Sequence, residues 1–291
     1  MNKVGFIGVG IMGKSMVRNL MKAGFELHIY ARTKSKVEDV IGEGAQFHES
    51  IKDCVQDCDA VITIVGFPQD VEEVYFDQGN ILDSAKKGAY LIDMTTTSPQ
   101  IAEKIYEEGT KRGFHVMDAP VTGGAKAGTL SILVGGEKED YEACMPLFEA
   151  MGTNINYQGK AGCGQHCKLA NQIMIAGTLS GVCEALTYAK EQGLDPEVFM
   201  KSVATGAAGS KQLDTFGPKI LKDDYAPGFF MKHFIKDMKL ALIEANRKGL
   251  SLDVLSMVLA NYEELEQEGY GDLGTQALMK FYDEEHRNTE E

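Results

Sequence analysis

The chain has 291 residues, 44% of them hydrophobic and 25% charged, with 43 acidic against 29 basic side chains and a formal charge of −14. That length suggests about two domains at roughly 150 residues each and allows a substantial core, so wholesale disorder and fibrous repeats are excluded. The acidic balance repels nucleic acid and anionic membranes, and any anionic ligand has to be captured by a local site.

Largely apolar runs such as Ala60 to Val65 are strand-sized, far short of the roughly 20 residues of a membrane-spanning helix, so no membrane segment is expected. Met1, Asn2 and Lys3 lead straight into a strand-like VGFIG without a long apolar leader segment. The six cysteines are dispersed. Their closest pairs, Cys54/Cys58 and Cys163/Cys167, lack the second half of a zinc site, so no metal is expected and the thiols read as those of a cytoplasmic protein.

Through residue 161 short β-rich runs alternate with helical stretches, the pattern of βαβ units and a parallel sheet. The expected strands are Lys3 to Ile7, Leu27 to Tyr30, Ala60 to Val65, Ala89 to Asp93, Phe114 to Met117, Ser131 to Val134 and Asn154 to Tyr157. Helices are expected between them, such as Met12 to Ala23 closing on Gly24 and Pro99 to Arg112 closing on Gly113. Several strands are apolar on both alternating sets, as in a sheet covered by helices on both faces. Residues 1–161 thus read as a doubly wound, Rossmann-type α/β domain.

From Gly162 the β signal fades, and residues 162–291 are predicted to form an all-helical domain. Its first helix carries a long apolar stretch, Cys167 to Ala189, with Ala176, Gly177, Ser180 and Gly181 at its centre, which suggests a buried helix packed closely between the two domains. Asp195-Pro196-Glu197 has the N-cap, N1 proline and first-turn acid of a new helix. Phe234 to Lys248 is another, stopped by Gly249, and the charged end from Asp283 to Glu291 is predicted to fray.

Gly8, Gly10 and Gly13 stand in G-x-G-x-x-G spacing, with Ile11 and Met12 between the last two, directly after a strand and at the opening of a helix. Such a turn brings backbone amides and a helix N-terminus to a dinucleotide pyrophosphate. An NAD site commonly ends its second strand with an acid that bonds the ribose 2′-hydroxyl; here that position is Ala31, followed by Arg32, Thr33 and Lys36. A guanidinium and a hydroxyl suit a 2′-phosphate, so NADP(H) is expected over NAD(H) unless these are only solvated loop charges.

Two later segments can carry chemistry. In DAPVTGGAKAGTL, Thr122, Gly123 and Gly124 form either an ordinary glycine turn or a loop whose amides and hydroxyl face a carboxylate. In GCGQHCKLANQ, Lys168, Asn171 and Gln172 fall at i, i+3 and i+4, on one face of the first turns of the apolar helix. Burial of Lys168 there would lower its pKa and ease proton transfer at neutral pH.

The glycine fingerprint with Met12, the DMTTT of Asp93 to Thr97, the DAPVTGG segment, the G-x-G-x-x-x-K-x-x-N-Q segment and the KDMKLAL of Lys236 to Leu242 occur in one order. Together they resemble the β-hydroxyacid dehydrogenase family over nearly the whole chain. That family includes 3-hydroxyisobutyrate dehydrogenases, tartronate semialdehyde reductases and glyoxylate/succinic semialdehyde reductases. The resemblance implies a nucleotide-binding domain, a helical domain and an active site in the cleft between them. By position it also implies a catalytic role for Lys168 and an orienting role for Asn171. Thr122, Gly123 and Gly124 would anchor substrate, Thr96 and Lys236 would contact the cofactor near its nicotinamide end, and Val65 would lie beside its adenosine and ribose. Thr96 could otherwise cap the helix that follows it, and Lys236 could sit on a solvated face.

The implied reaction is hydride transfer between NADP(H) and a small carboxylate-bearing aldehyde or hydroxyacid, in a homodimer or homotetramer. The end of the second strand resembles the glyoxylate/succinic semialdehyde reductases, whereas GQHCKLANQ is closer to tartronate semialdehyde reductases. Between Gly124 and Gly128 stands only Ala125-Lys126-Ala127, shorter than the family's usual spacing and beside the substrate segment. The alternatives are an NAD-dependent 3-hydroxyisobutyrate or tartronate-type enzyme and a non-catalytic dinucleotide sensor.

Overall fold

The computed structural model describes residues 1–282, so the charged end from Asp283 lies outside the described residues. Two compact units are present, one ending at Lys168 and the other beginning at Leu169, whereas the sequence places the division at residue 162. The observed division falls within one continuous helix, Cys163–Glu191.

The first unit is built on a sheet of nine strands: β1 (Lys3–Ile7), β2 (Glu26–Tyr30), β3 (Gln46–Phe47), β4 (Ala60–Thr63), β5 (Tyr90–Asp93), β6 (His115–Asp118), β7 (Val121–Gly124), β8 (Thr129–Gly136) and β9 (Gly152–Gly159). Their order is β3-β2-β1-β4-β5-β6-β8-β7, with β9 also paired to β8. From β3 to β6 every pairing is parallel, and the hairpin strand β8 runs antiparallel to both β6 and β7. This is the expected doubly wound sheet with two strands that the sequence pattern did not show. β3 spans two residues, and β7 is masked by its own glycines.

The two-residue period of the strands decides which core each side chain joins. Phe6, Ile62, Ile92 and Met117 stand opposite one another across β1, β4, β5 and β6, and all bury against one set of helices with Met16, Val17 and Leu20. Their neighbours Ile7, Val61, Leu91 and Val116 bury on the other face with Val71, Val74 and Tyr75. A sheet covered on both faces leaves its functional surface at the carboxyl ends of the strands, where β1, β4, β5 and β6 open into Gly8, Ile64, Met94 and Ala119.

The second unit is helical among the described residues. In the helix Pro196–Ala204, Asp195 Oδ1 accepts from the Val198 amide at 3.0 Å, which is the predicted cap. Met231–Arg247 starts before the predicted Phe234 because Met231, Phe234, Ile235 and Met238 all bury against Leu255, Val258 and Tyr262 of the next helix, Asp253–Gln267. Cys163–Glu191 is long and apolar enough to cross a membrane by length and composition, a property that its broken apolar runs conceal in the sequence. In this structure Leu169, Ala176, Leu179, Cys183 and Leu186 of that helix lie in the core of the second unit.

Candidate active site

Gly8 follows β1 with φ +97°, and its amide donates to the Tyr30 carbonyl at 3.4 Å. A Cβ on Gly8 would come within 2.1 Å of the Ile64 carbonyl oxygen, and one on Gly13 within 2.2 Å of the Gly8 carbonyl oxygen. Gly10 differs, for nothing lies within 4 Å of the place its Cβ would occupy. Two glycines therefore let backbone meet backbone, and the third leaves open space. Gly10 caps the helix Ile11–Lys22 without a side-chain cap, the first turn has no acid, and Ile11 is 63% exposed, with Met12 next to it half-buried. The leading amides of this helix are thus left for an anion, and the residues present fit a dinucleotide pyrophosphate.

At the end of β2 the structure adds something that the strand pattern did not show. Arg32 Nη2 is 2.6 Å from Asp70 Oδ1 and 2.8 Å from Glu73 Oε2, both on the helix Pro68–Phe76. Lys36 ends the short 3-10 helix Lys34–Lys36 that follows and extended Thr33 precedes it, with the Lys36 amide donating to the Thr33 carbonyl at 3.2 Å.

The ends of β4 and β5 are tied by a buried polar ladder. Asp93 Oδ1 accepts from the Thr63 hydroxyl at 2.7 Å and from the Thr95 amide at 3.1 Å, and Thr63 is in turn 3.1 Å from the Tyr75 hydroxyl. The Val65 amide donates to Thr95 Oγ1 at 3.0 Å, so the segment holding Val65 is set by the segment holding Thr96. Burial pushes the Asp93 carboxyl up to about 6, against the pull of its Thr95 and Thr63 hydrogen bonds, and its Oδ2 has no hydrogen-bond partner. Thr96 itself is half-buried; the residue that caps the helix Pro99–Lys111 is Ser98, whose Oγ accepts from the Ile101 amide at 3.2 Å.

The start of the Cys163–Glu191 helix is fixed by residues from two of these strand ends. Asp118, last in β6, accepts the Gly162 amide on Oδ1 and the Gln165 amide on Oδ2, each at 2.8 Å. Burial raises its carboxyl above the usual range while those two amides pull the other way. The Gln165 side chain, fully buried, donates to the Thr95 carbonyl at 2.8 Å and accepts from the Thr97 amide at 3.0 Å. Gly164 makes the approach possible, because a Cβ there would stand 2.4 Å from the Leu133 carbonyl and 2.7 Å from Asp118 Oδ2. Lys168, one turn beyond Gly164, is only 7% exposed.

Thr122, Gly123 and Gly124 form neither of the expected alternatives, a glycine turn or a loop, but the edge strand β7, registered against Ser131, Leu130 and Thr129 of β8. Gly123 has φ +103°, a conformation that L side chains rarely adopt. The shortened Ala125-Lys126-Ala127 segment closes the hairpin in a tight turn, Gly128 amide to Ala125 carbonyl at 3.1 Å. Asn19 of the Ile11–Lys22 helix holds that turn by donating to the Ala125 carbonyl at 2.9 Å.

In the second unit a relay of four residues surrounds the two amides of the N-Q pair. Asn171 Nδ2 donates to Gln172 Oε1 at 2.8 Å, and Gln172 Nε2 donates to Asp237 Oδ2 at 2.7 Å. Asp237, fully buried, forms an ion pair with Lys236, Nζ to Oδ1 3.0 Å. Lys236 is therefore not on a solvated face, for its side chain is 12% exposed. Sequence reasoning did not single out Asp118, Gln165 or Asp237 for roles of their own. Each sits inside a quoted motif, and the signal available was an acid or amide within an otherwise apolar segment.

Residues 3–159 match the family described as the NAD binding domain of 6-phosphogluconate dehydrogenase, and residues 162–282 match the one described as NAD-binding of NADP-dependent 3-hydroxyisobutyrate dehydrogenase. An uncharacterized oxidoreductase of Bacillus subtilis is 49% identical over 282 residues, covering 96% of this chain and 98% of that protein. A probable mitochondrial 3-hydroxyisobutyrate dehydrogenase-like protein of Arabidopsis thaliana is 44% identical over 95% of this chain and 84% of its own length. Among solved structures, the 3-hydroxyisobutyrate dehydrogenase of Mycobacterium tuberculosis with L-serine superposes with a TM-score of 0.88 at 26% identity, over 96% of this chain and 98% of that one. The chain belongs to the β-hydroxyacid dehydrogenase family. It is an NAD(P)-dependent oxidoreductase acting on hydroxyl groups, with a Rossmann-type nucleotide domain and a helical domain.

Proposed function

We propose that the protein interconverts a small hydroxyacid and the corresponding aldehyde acid, a β-hydroxyacid and its semialdehyde or a pair of the glyoxylate or succinic semialdehyde type, with NADP(H) favoured over NAD(H). The observation that carries this reading is Lys168, a buried lysine one turn into a helix whose start is anchored by Asp118, which accepts the Gly162 and Gln165 amides, and by the Gln165 side chain, which bonds Thr95 and Thr97. A lysine so enclosed and so placed is suited to proton transfer rather than to solubility. The substrate class is supported by the 3-hydroxyisobutyrate named for the Arabidopsis relative and by the L-serine named with the mycobacterial structure, both carboxylates with a hydroxyl on the β carbon.

The nicotinamide, when bound, supplies the hydride in reduction and accepts it in oxidation. Gly8, Gly10 and Gly13, with the amides of Ile11 and Met12, hold the pyrophosphate; Val65, Thr96 and Lys236 contact the remainder of the dinucleotide. Arg32, with Thr33 and Lys36, takes the 2′-phosphate. Thr122, Gly123 and Gly124 anchor the substrate carboxylate, and the positive φ of Gly123 turns backbone there in a way a side chain would resist. Lys168 donates a proton to the alkoxide oxygen as the carbonyl is reduced, and takes it back when the hydroxyl is oxidised. Asn171, one turn on, orients the substrate beside that ammonium.

A second reading, NAD(H) as the working cofactor, is favoured by one observation: Arg32 is already paired with two carboxylates. The deciding experiment compares initial rates with NADPH and NADH on glyoxylate, succinic semialdehyde, tartronate semialdehyde and methylmalonate semialdehyde. Turnover only with NADH overturns the NADP(H) assignment, and no turnover on any carbonyl favours a sensor. We further propose a cytoplasmic homodimer or homotetramer, which light scattering tests for its oligomeric part.

A further inference from the structure

Arg32 lies two residues beyond Tyr30, the last residue of β2, whose carbonyl accepts the amide of Gly8. It therefore stands beside the glycine turn, where the adenosine ribose of a dinucleotide is read. Both of its partners come from a different element, the helix Pro68–Phe76, and sit three residues apart on one face of it. Asp70 is tethered there, because its Oδ2 accepts the Phe67 amide at 2.9 Å while its Oδ1 holds Arg32. Its side chain is 19% exposed, that of Glu73 49% and that of Arg32 59%.

One guanidinium thus faces two carboxylates, and the three side chains together carry a net charge of −1. A ribose 2′-phosphate, itself about −1.5 to −2 at neutral pH, has to share or displace those carboxylates before it engages Arg32, and it gains less than it would from an uncompensated arginine. A ribose 2′-hydroxyl brings no charge and suffers no such repulsion. We infer that Asp70 and Glu73 are the cofactor-selectivity residues of this protein, holding Arg32 in competition with the 2′-phosphate and so narrowing the preference for NADP(H) over NAD(H). This rests on the reading above that Arg32 takes the 2′-phosphate.

The test is direct titration of the full-length protein with NADPH and with NADH, followed by the fluorescence of the reduced nicotinamide or by calorimetry, for wild type, Asp70→Asn, Glu73→Gln, the double variant and Arg32→Ala. The asparagine of Asp70→Asn keeps an oxygen for the Phe67 amide, and Glu73 is half-exposed, so the helix start is preserved in both. Removing one like charge from the neighbourhood of the phosphate is expected to tighten NADPH about three- to tenfold per variant, with NADH no tighter than in wild type. The double variant exceeds either single one. NADPH affinity unchanged in all three acid variants, or equal tightening of both cofactors, overturns the inference. Loss of NADPH affinity in Arg32→Ala with NADH retained supports the 2′-phosphate contact, and equal binding of NADPH by Arg32→Ala and wild type removes its basis. Because binding is read without turnover, these outcomes stay separate from failure of the carbonyl panel, which bears on the reaction alone.

Discussion

The carboxylate of Asp118 is the point where the sheet takes hold of the lysine-bearing helix, and its replacement by asparagine gives a sharp test of that architecture. Asp118 offers one oxygen to the Gly162 amide and the other to the Gln165 amide, at 2.8 Å each, in a pocket where the side chain is 3% exposed. An asparagine in its place would fill the same volume but present an oxygen to one amide and an NH2 group to the other, leaving a buried donor facing a donor. An unsatisfied buried group costs about 1–3 kcal/mol. At about 2–4 °C per kcal/mol for a protein unit of this size, Asp118→Asn should lower the melting temperature by roughly 2–12 °C. The displaced turn carries Lys168, so kcat/KM should fall at least about tenfold with KM changing less. Differential scanning calorimetry and steady-state kinetics on the same preparation supply both numbers. A melting temperature within about 1 °C of wild type together with kcat/KM within about twofold would refute the claim that this carboxylate positions the helix.

Lys168→Ala should leave the far-ultraviolet circular dichroism unchanged and reduce kcat by about 10²–10⁴-fold; activity within a few-fold of wild type would end its assignment as the proton donor. Gly8→Ala should be poorly folded, because its Cβ meets the Ile64 carbonyl at 2.1 Å, whereas Gly10→Ala should keep the wild-type melting temperature and lose at least about tenfold in dinucleotide affinity. If the two behave alike, the division between structural and ligand-facing glycines is wrong. Asp93 governs a pH dependence. Its carboxyl goes from an ordinary 3.8 to about 6 on folding, so the stability linked to its protonation is complete below about 4 and lost as pH rises through about 6. At 1.36 kcal/mol per pH unit the rise of roughly two units is on the order of 3 kcal/mol. Thermal melts from about pH 4.5 to 7.5 should therefore show a steeper decline for wild type than for Asp93→Asn, and parallel curves would contradict it.

Much of the first unit was legible because its strands obey a strict period of two with both sets apolar, as Phe6 and Ile7 or Ile62 and Val61 show. The glycine fingerprint was legible for the same reason: three positions with no side chain leave a spacing that survives in sequence alone. What escaped was polar and long-range. β7 reads as a turn because Gly123 and Gly124 carry no side chains to report pairing, and only the ladder to β8 reveals it. The pairing of Arg32 with Asp70 and Glu73 joins residues far apart in sequence through two elements whose adjacency no local pattern encodes. Asp118 and Asp237 are single acids in apolar segments, and nothing near them in sequence says which amide each will bind.

Gln165 has one more consequence, for the order in which the chain can be made ready. Its side chain joins Thr95 and Thr97, 70 and 68 residues earlier, while its own amide binds Asp118, 47 residues earlier. No short segment of the nascent chain contains those partners, and contacts at such separation form only after the intervening loops have closed. The first turn of the lysine helix therefore cannot take up these bonds until the ends of β5 and β6 that supply them are in place. Refolding from denaturant should restore helical and strand signals before cofactor-dependent activity, and a chain arrested part-way carries a lysine with no fixed surroundings in which to exchange a proton.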